Sequence, residues 1–318
     1  MSPRMNINFK NISFKSSDHA HLRERRYGVS VKYYANDNEP PHKRIDYDVE
    51  IKIDENDNGW QIDIDKQNVF FNQHEPDLIS EILSQAITRS IYPVQCVIND
   101  KGLPVRGITN HDQILSRWNK NKKKIADKYA GETVDKLISV ADLKFGSKAL
   151  IEKSMKYDMF WNLFFHPKFI AYNSGTGVKT DLHLAVVPYK FPVRFTGLQN
   201  FNGQITSYNT VEVNFNSDEM EAPQFLSGAK DENQKYYMKL DVVFDLDSRH
   251  FFLTNTTAYF SLYSKDHEQN ICLVKKINFT MYEINAVSTT DERNIIVDEE
   301  PKNKKSKLMK FIDALVGD

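Results

Sequence analysis

Cysteine is scarce in this chain, and its scarcity excludes a disulfide framework. Only two of the 318 residues are cysteines, Cys96 and Cys272. Both lie in segments where apolar residues alternate with polar ones, and such positions favour buried free thiols. Disulfides accumulate in oxidising compartments, so this composition favours a reducing one. We therefore expect a cytoplasmic protein.

Long hydrophobic runs and an excess of one charge are also missing. The chain nowhere reaches the ~18 consecutive apolar residues that span a bilayer. Polar residues occur throughout residues 1–10, which lack the continuous apolar stretch of a signal peptide. Lys+Arg number 42 and Asp+Glu 43, for a net charge of -1, so no global basic field attracts a phosphate backbone. We expect no transmembrane segment, no secretion by the general route and no nucleic-acid partner.

Recognisable catalytic and transition-metal motifs are missing as well. The nine histidines are scattered, and neither H-E-x-x-H nor C-x-x-C spacing occurs. No G-x-S-x-G segment presents a nucleophilic serine. We expect no catalytic residues, no metal and no cofactor.

One short segment matches part of a calcium loop. Asp54, Asn56, Asn58 and Gly59 fit the pattern D-x-[DN]-x-[DN]-G, and Asp65 falls where the twelfth-position carboxylate belongs. An EF-hand requires helices on both sides of this loop, whereas strict two-residue alternation flanks it here. We interpret the segment as the acidic tip of a hairpin. Asp54, Asn56, Asn58 and Asp65 are the candidate calcium ligands.

Alternation of apolar and charged residues is the clearest pattern that is present. It runs through residues 46–53 and again through 60–64, on either side of Asn58-Gly59, which predicts a β-hairpin. Residues 92–98 and 105–109 predict a second hairpin. Asn110 or Asp112 could cap the helix that follows.

The middle and the second half of the chain differ in period. Apolar residues recur every three or four positions from about 77 to 165, which predicts helices, and strand patterns with short polar loops follow from about 166 to 285. The expected fold is α+β: a large twisted antiparallel sheet of N-terminal hairpins and a C-terminal β-meander, covered by the mid-chain helices. Whether the sheet halves form one domain or two, and whether they enclose a cavity, stays open.

The expected domain organisation has four parts. An arm (1–26) precedes the α+β core (27–285), and a polar linker (286–305) leads to a tail (306–318). In the tail, the apolar residues are three or four positions apart, with lysines between them, as in a short basic amphipathic helix: Leu308, Phe311, Ile312 and Leu315. Isolated helices this short are marginal in water, so we expect the tail to dock on something.

Two further segments are candidates for binding. Aromatic residues encircle much of the helix predicted at 157–165, including Trp161 and Phe165, and they suit either core or an obligate interface. Residues 117–124 interleave Trp118 with basic side chains, which suits either a solvated helix face or contact with phosphates or an acidic partner.

These patterns lead to a ranked set of functional hypotheses. The first is a non-enzymatic adaptor or assembly subunit of a cytoplasmic multiprotein complex, docking through the tail helix and the aromatic surface of Trp161 and Phe165. The alternative is a carrier of a lipid or other apolar ligand in a curved-sheet cavity. A hydrolase with a non-contiguous site has least support. The partner is expected to be a protein, and self-association is a further alternative.

Overall fold

The computed structural model describes residues 24–35, 39–56, 59–172, 177–188, 190–227, 234–265 and 270–284. Within these ranges the chain forms twelve strands and six helices, and every strand pair is antiparallel. The expectation of an α+β protein with a large antiparallel sheet is confirmed. The expected linker (286–305) and tail (306–318) lie outside the described residues. Strand β1 begins at Glu24, so the last three residues of the expected arm belong to the sheet.

The strands are β1 (Glu24–Tyr34), β2 (Lys43–Asn56), β3 (Gly59–Phe71), β4 (Val94–Ile98), β5 (Pro104–Ile108), β6 (Val178–Leu184), β7 (Val193–Asn202), β8 (Thr210–Ser217), β9 (Met220–Glu221), β10 (Tyr236–Asp247), β11 (Leu253–Lys265) and β12 (Ile271–Glu283). The helices are α1 (Ile79–Ile91), α2 (His111–Lys128), α3 (Glu132–Phe145), α4 (Lys148–Met155), α5 (Met159–Phe164) and α6 (Gln224–Ser227).

All twelve strands belong to one sheet. Its order is β5-β4-β3-β2-β1-β12-β11-β10-β8-β7-β6, with β9 paired to β10. The first and last strands are neighbours, in a register that runs from Tyr27 opposite Glu283 to Tyr34 opposite Lys276. This pair joins the N-terminal strands to the C-terminal meander in a single sheet. The connection from β5 to β6, which contains α2–α5, therefore runs from one edge of the sheet to the other.

Both predicted hairpins are confirmed. Strands β2 and β3 pair from Ile45 opposite Phe71 to Asn56 opposite Gly59. The tip residues Asp57 and Asn58 lie outside the described residues. Strands β4 and β5 form the second hairpin.

Alternate residues of the central strands point into the core. Tyr27, Val29 and Val31 of β1 are buried, and Met281 and Phe279 of β12 lie opposite the two valines. Buried side chains of the strands and of helices α1–α5 form one hydrophobic core. Because each fully buried large apolar side chain contributes ~1.5–3 kcal/mol, this shared core is what holds the helices to the sheet.

Asn110 precedes helix α2, as expected for a cap, but its side chain does not cap the helix. Its Oδ1 accepts a hydrogen bond from the backbone N–H of Gln95 at 3.1 Å, and its Nδ2 donates to the carbonyl of Pro93 at 2.9 Å. No side-chain bond caps the helix itself. Asn110 therefore ties the start of α2 to strand β4.

The two cysteines occupy different environments. Cys96 is buried, as expected, and burial raises the pKa of its thiol to about 12. The expectation for Cys272 is wrong, because its side chain is exposed. Strand β1 pairs with β12 only from Lys276 onward, so Cys272 has a neighbouring strand on one side, β11.

Candidate functional site

The tail residues expected to bind a partner, Leu308, Phe311, Ile312 and Leu315, lie outside the described residues. Their docking role stays a prediction.

The aromatic segment around helix α5 packs inward. Trp161 is 8% exposed, and its indole N–H donates to the hydroxyl of Tyr92 at 3.0 Å. Phe165 is partly buried against the core, with its ring centroid 5.2 Å from Trp161 and 5.0 Å from Phe164. Trp161 thus fits the core alternative, whereas Tyr157, Phe164 and Phe165 of this segment are only partly buried.

The calcium candidates are spread along the β2–β3 hairpin. Asp54 lies opposite Gln61, whereas Asp65 lies opposite Glu50, four residues farther along β2. At ~3.3 Å per strand residue, this register separates Asp54 from Asp65 by roughly 13 Å along the strands. Asn56 ends β2, and Asn58 lies outside the described residues. Within the described part of the chain, no group of three or more His, Cys, Asp or Glu could hold a metal ion.

Half of the basic run 117–124 supports the fold. The guanidinium of Arg117 donates to the carbonyls of Ser90 (3.2 Å), Ile91 (2.9 Å) and Pro93 (2.8 Å), at the C-terminal end of helix α1. Positive charge stabilises such a helix end, and burial lowers the pKa of Arg117. Trp118 is buried.

Lys122 in the same run is 2.6 Å from Asp142 on helix α3. The solvated lysines of the run are therefore Lys120, Lys123 and Lys124, which are exposed.

An aromatic surface does exist, and it combines Tyr157 of the segment 157–165 with a ring that the sequence patterns did not indicate. Phe191, in the loop before β7, is 63% exposed. Its ring lies 5.7 Å from the ring of Tyr157, edge to face, and the Nζ of Lys153 lies 4.9 Å from its centroid. We call Tyr157, Lys153 and Phe191 the Phe191 surface.

A cleft of about 50 Å³ opens at one end of the sheet. Its walls come from the start of β1, from β2, from the β4–β5 turn (101–103), from the β10–β11 turn (251–253) and from the segment that follows helix α5 (164–169). Most of the lining is apolar, but Arg25, Lys101 and Lys168 also line it. Among the described residues that form these walls, there is no Asp or Glu.

Lys168 is the buried cation of this cleft. Its ammonium donates to the carbonyls of Leu163 (3.2 Å), Phe164 (2.7 Å) and His166 (3.0 Å), and lies 4.8 Å from the ring centroid of Phe244. Burial lowers the pKa of Lys168 to about 7. The three carbonyl oxygens oppose that shift, because only the charged form has a proton for each of them.

A hydrogen-bonded network fixes the chain on either side of Lys168. The Nε2 of His166 is 2.6 Å from Oε1 of Gln199, and the Nε2 of Gln199 donates to the carbonyl of Pro167 and to the hydroxyl of Tyr172. Tyr172 in turn donates to the carbonyl of Lys168 at 2.8 Å. Burial, and next the charge of Lys168, lower the pKa of His166 to about 4, so its imidazole is neutral at pH 7.

Arg25 also lines the cleft. Its side chain is 8% exposed, its Nη1 is 2.7 Å from Oε2 of Glu283, and its guanidinium carbon lies 4.2 Å from the ring centroid of Phe252. Desolvation raises the pKa of Glu283, and the charge of Arg25 opposes that shift. This ion pair spans the β1–β12 junction.

Sequence patterns did not point to this cleft. Arg25 and Lys101 lie at the start of a strand and in a turn, where a charged side chain is ordinary. One sequence signal could have identified Lys168 as a buried cation. A single lysine interrupts the aromatic stretch Phe164-Phe165-His166-Pro167-Lys168-Phe169.

By class, the described chain is an α+β protein built on one twelve-stranded antiparallel sheet. No protein-family model matches the chain, and no curated protein matches its sequence. In the described part of the chain, none of the helices combines the length and the apolar character that crossing a bilayer requires.

Proposed function

We propose that the protein is a non-enzymatic adaptor or assembly subunit of a cytoplasmic multiprotein complex. The observation that supports this best is the Phe191 surface, where an exposed ring is held in place by a second ring and by a lysine. Large aromatic side chains dominate the binding energy of protein interfaces. An aromatic ring that is already oriented loses little conformational entropy when a partner covers it.

The charges around the Phe191 surface suit an acidic partner. Lys156 and Lys190 are exposed close to Tyr157 and Phe191 in the sequence. Lys153, whose Nζ lies 4.9 Å from the ring centroid of Phe191, adds a third cation. We propose that the partner presents a segment with carboxylates and at least one apolar side chain, because opposite charges steer association and exclude wrong partners.

The tail helix is the second element of the proposal. Leu308, Phe311, Ile312 and Leu315 would provide an apolar stripe and the lysines between them a basic face, as in helices that dock in a groove. We also propose that the helices between about 77 and 165 cover one face of a twisted sheet, which would leave the Phe191 surface and the tail as the elements that meet a partner.

Substitutions at the two docking elements test the proposal. Phe191→Ser removes the exposed ring, and a second variant changes Leu308, Phe311 and Leu315 to glutamine. Tyr208→Ser is the matched control, since Tyr208 is an exposed aromatic (87%) in the β7–β8 loop. Each tagged protein is purified from its own cells, and the bound proteins are quantified by mass spectrometry.

We expect the Phe191 variant, the tail variant or both to lose one defined partner that the Tyr208 variant keeps. Light scattering shows whether that partner is a second copy of the chain. If all three variants keep the same proteins in the same amounts as the unmodified chain, the adaptor proposal is wrong.

The carrier alternative gains no support from the cleft at the end of the sheet. Pockets for drug-sized ligands measure ~300–1,000 Å³, whereas this cleft measures about 50 Å³. A whole lipid does not fit a space of that size.

A further inference from the structure

The side chains of β2 and β3 that point away from the core are mostly acidic. Val49 and Ile51 of β2 and Ile62 and Ile64 of β3 are buried, so the residues between them lie on the opposite face of the sheet. Four carboxylates on that face have no Lys or Arg within ion-pair distance among the described residues. We call these four residues the acidic face: Glu50, Asp54, Asp63 and Asp65.

Three cations on the same side of β1 and β2 already have carboxylate partners. Lys52 lies opposite Asp63 in the register, but its Nζ is 2.9 Å from Oε1 of Glu24. The other two pairs are Arg26 with Asp48, at 2.6 Å, and Arg44 with Asp46, at 2.8 Å. None of these pairs therefore neutralises the acidic face.

Two members of the acidic face repel each other directly. Glu50 and Asp65 are opposite each other in the β2–β3 register, and like charges in that position destabilise a strand pair. The amide of Gln67 donates to Asp65 at 2.7 Å and to Glu50 at 3.4 Å, but a neutral amide does not cancel the charge. A cation that docks on this face would lower the repulsion.

A buried hydroxyl on the same side of the sheet also lacks a partner. Ser30 of β1 lies opposite Asp46 of β2 and is 8% exposed. Among the described residues, its Oγ has no hydrogen-bond partner, and an unsatisfied buried polar atom is costly. An ammonium group that reaches this point would supply the donor.

The described chain ends beside the acidic face. Glu283 of β12 lies opposite Tyr27 of β1, which lies opposite Val49 of β2. The backbone N–H of Ile284 donates to the carbonyl of Arg26 at 2.7 Å, which fixes this end to β1. Neighbouring strands are ~4.8 Å apart, so residue 283 is roughly 10 Å from β2 and roughly 14 Å from β3.

The sequence that follows contains a strongly basic segment. Residues 302–310 contain five lysines and no acidic residue: Lys302, Lys304, Lys305, Lys307 and Lys310. Seventeen residues separate this segment from Ile284, and a flexible linker of that length spans roughly 20–25 Å. The tether is therefore long enough for the segment to reach the acidic face, and it gives the segment a high effective concentration there.

We propose that the basic segment 302–310 docks on the acidic face of its own chain. The Phe191 surface carries lysines and would repel the same segment, whereas the acidic face offers fixed carboxylates close to the tether. The lysines make this contact, so the apolar stripe of Phe311, Ile312 and Leu315 is left for a partner. The contact lies within one molecule, so it stands whether or not the adaptor proposal holds.

Acetylation of lysines in the purified full-length protein, followed by mass spectrometry, tests the proposal, because a docked ammonium reacts more slowly than a free one. The test variant combines Glu50→Gln with Asp65→Asn. The matched control combines Glu132→Gln with Asp135→Asn, which removes two exposed carboxylates of helix α3. At low salt we expect residues 302–310 to react about fivefold faster in the test variant, as for one or two exposed charge pairs, and at the unmodified rate in the control.

Salt and protein concentration separate the alternatives. In the unmodified chain, a rise from about 20 mM to about 500 mM salt should speed acetylation of the segment, because salt screens exposed charges. Equal rates in all three proteins would overturn the proposal and would mean that the lysines pair elsewhere, for example with Asp298, Glu299 and Glu300. Protection that grows with protein concentration would place the segment on a second copy of the chain, which also contradicts the proposal.

Discussion

The Nζ of Lys66 lies 3.0 Å from Oδ2 of Asp158, and this ion pair joins strand β3 to the start of helix α5. Asp158 also caps the helix, because its Oδ1 accepts from the backbone N–H of Phe160 at 2.9 Å. The same lysine lies 3.6 Å from the ring centroid of Tyr47 on β2. One aspartate thus fixes the position of the helix that carries the aromatic core residues.

Two substitutions of Asp158 separate the cap from the charge. Asparagine caps a helix about as well as aspartate, so Asp158→Asn should lose only the ion pair, at a cost of about 1 kcal/mol in the free energy of unfolding. Asp158→Ala loses both and should cost about 1 kcal/mol more. Urea unfolding measures both values. Equal stabilities for the two variants would mean that the cap contributes nothing.

Removal of one buried hydroxyl should destabilise the core without changing its shape. Tyr92→Phe leaves the indole N–H of Trp161 without its acceptor at 3.0 Å. An unsatisfied buried donor costs about 1–3 kcal/mol. Tyr208→Phe removes a hydroxyl from an exposed ring and should change the free energy of unfolding by less than about 0.5 kcal/mol. A Tyr92 variant as stable as the Tyr208 variant would contradict the structure.

Stability should fall as the solution becomes acidic, with His166 as one cause. Its pKa is lowered from 6.5 to about 4 in the fold, so between these pH values the unfolded chain binds a proton that the native state does not. Stability is then full above pH 6.5 and declines toward pH 4, by up to about 3 kcal/mol.

The variant His166→Asn isolates this contribution from the carboxylates that also titrate in this range. We expect its free energy of unfolding to depend less steeply on pH between 4.5 and 6.5 than that of the unmodified chain. The variant keeps His183 and Lys168, whose charges also lower the pKa of His166 in the unmodified chain. Parallel curves for the two proteins would show that the pKa of His166 is the same in the native and the unfolded state.

The two thiols should react at very different rates. Cys272 is exposed, whereas Cys96 is buried with its pKa raised to about 12, and only the thiolate reacts quickly. A disulfide reagent such as Ellman's should titrate one thiol of the native protein and two after unfolding in guanidinium. The Cys272→Ser variant should show no rapid reaction, and a rapid reaction in that variant would place Cys96 at the surface.

Sequence patterns were sufficient to predict those elements that depend only on residues close together in the chain. The β2–β3 hairpin follows from alternation on both sides of Asn58-Gly59, and helix α1 follows from an apolar stripe that includes Leu83, because each pattern matches the period of its backbone. The start of the meander was less exact, since the sequence pattern placed it at about 166 and β6 begins at Val178.

Contacts between distant residues could not be read from these patterns. Nothing near Tyr27 identifies its neighbour Glu283, because an alternating strand can pair with any other in the correct orientation. The exposed position of Cys272 depends on where β1 ends beside β12, which is equally non-local. The cleft depends on three cations from separate parts of the chain, so it could be found only once the fold was known.

The pairing of β1 with β12 also determines when the sheet can be completed. During synthesis, β1 is made early, but its partner starts at Ile271, more than two hundred residues later. At ~5–20 residues per second, the ribosome needs about ten to fifty seconds to cover that interval. Throughout that time the inner edge of the N-terminal hairpins is unpaired, and an unpaired edge is a template for aggregation. We expect this protein to depend on chaperones until strand β12 emerges.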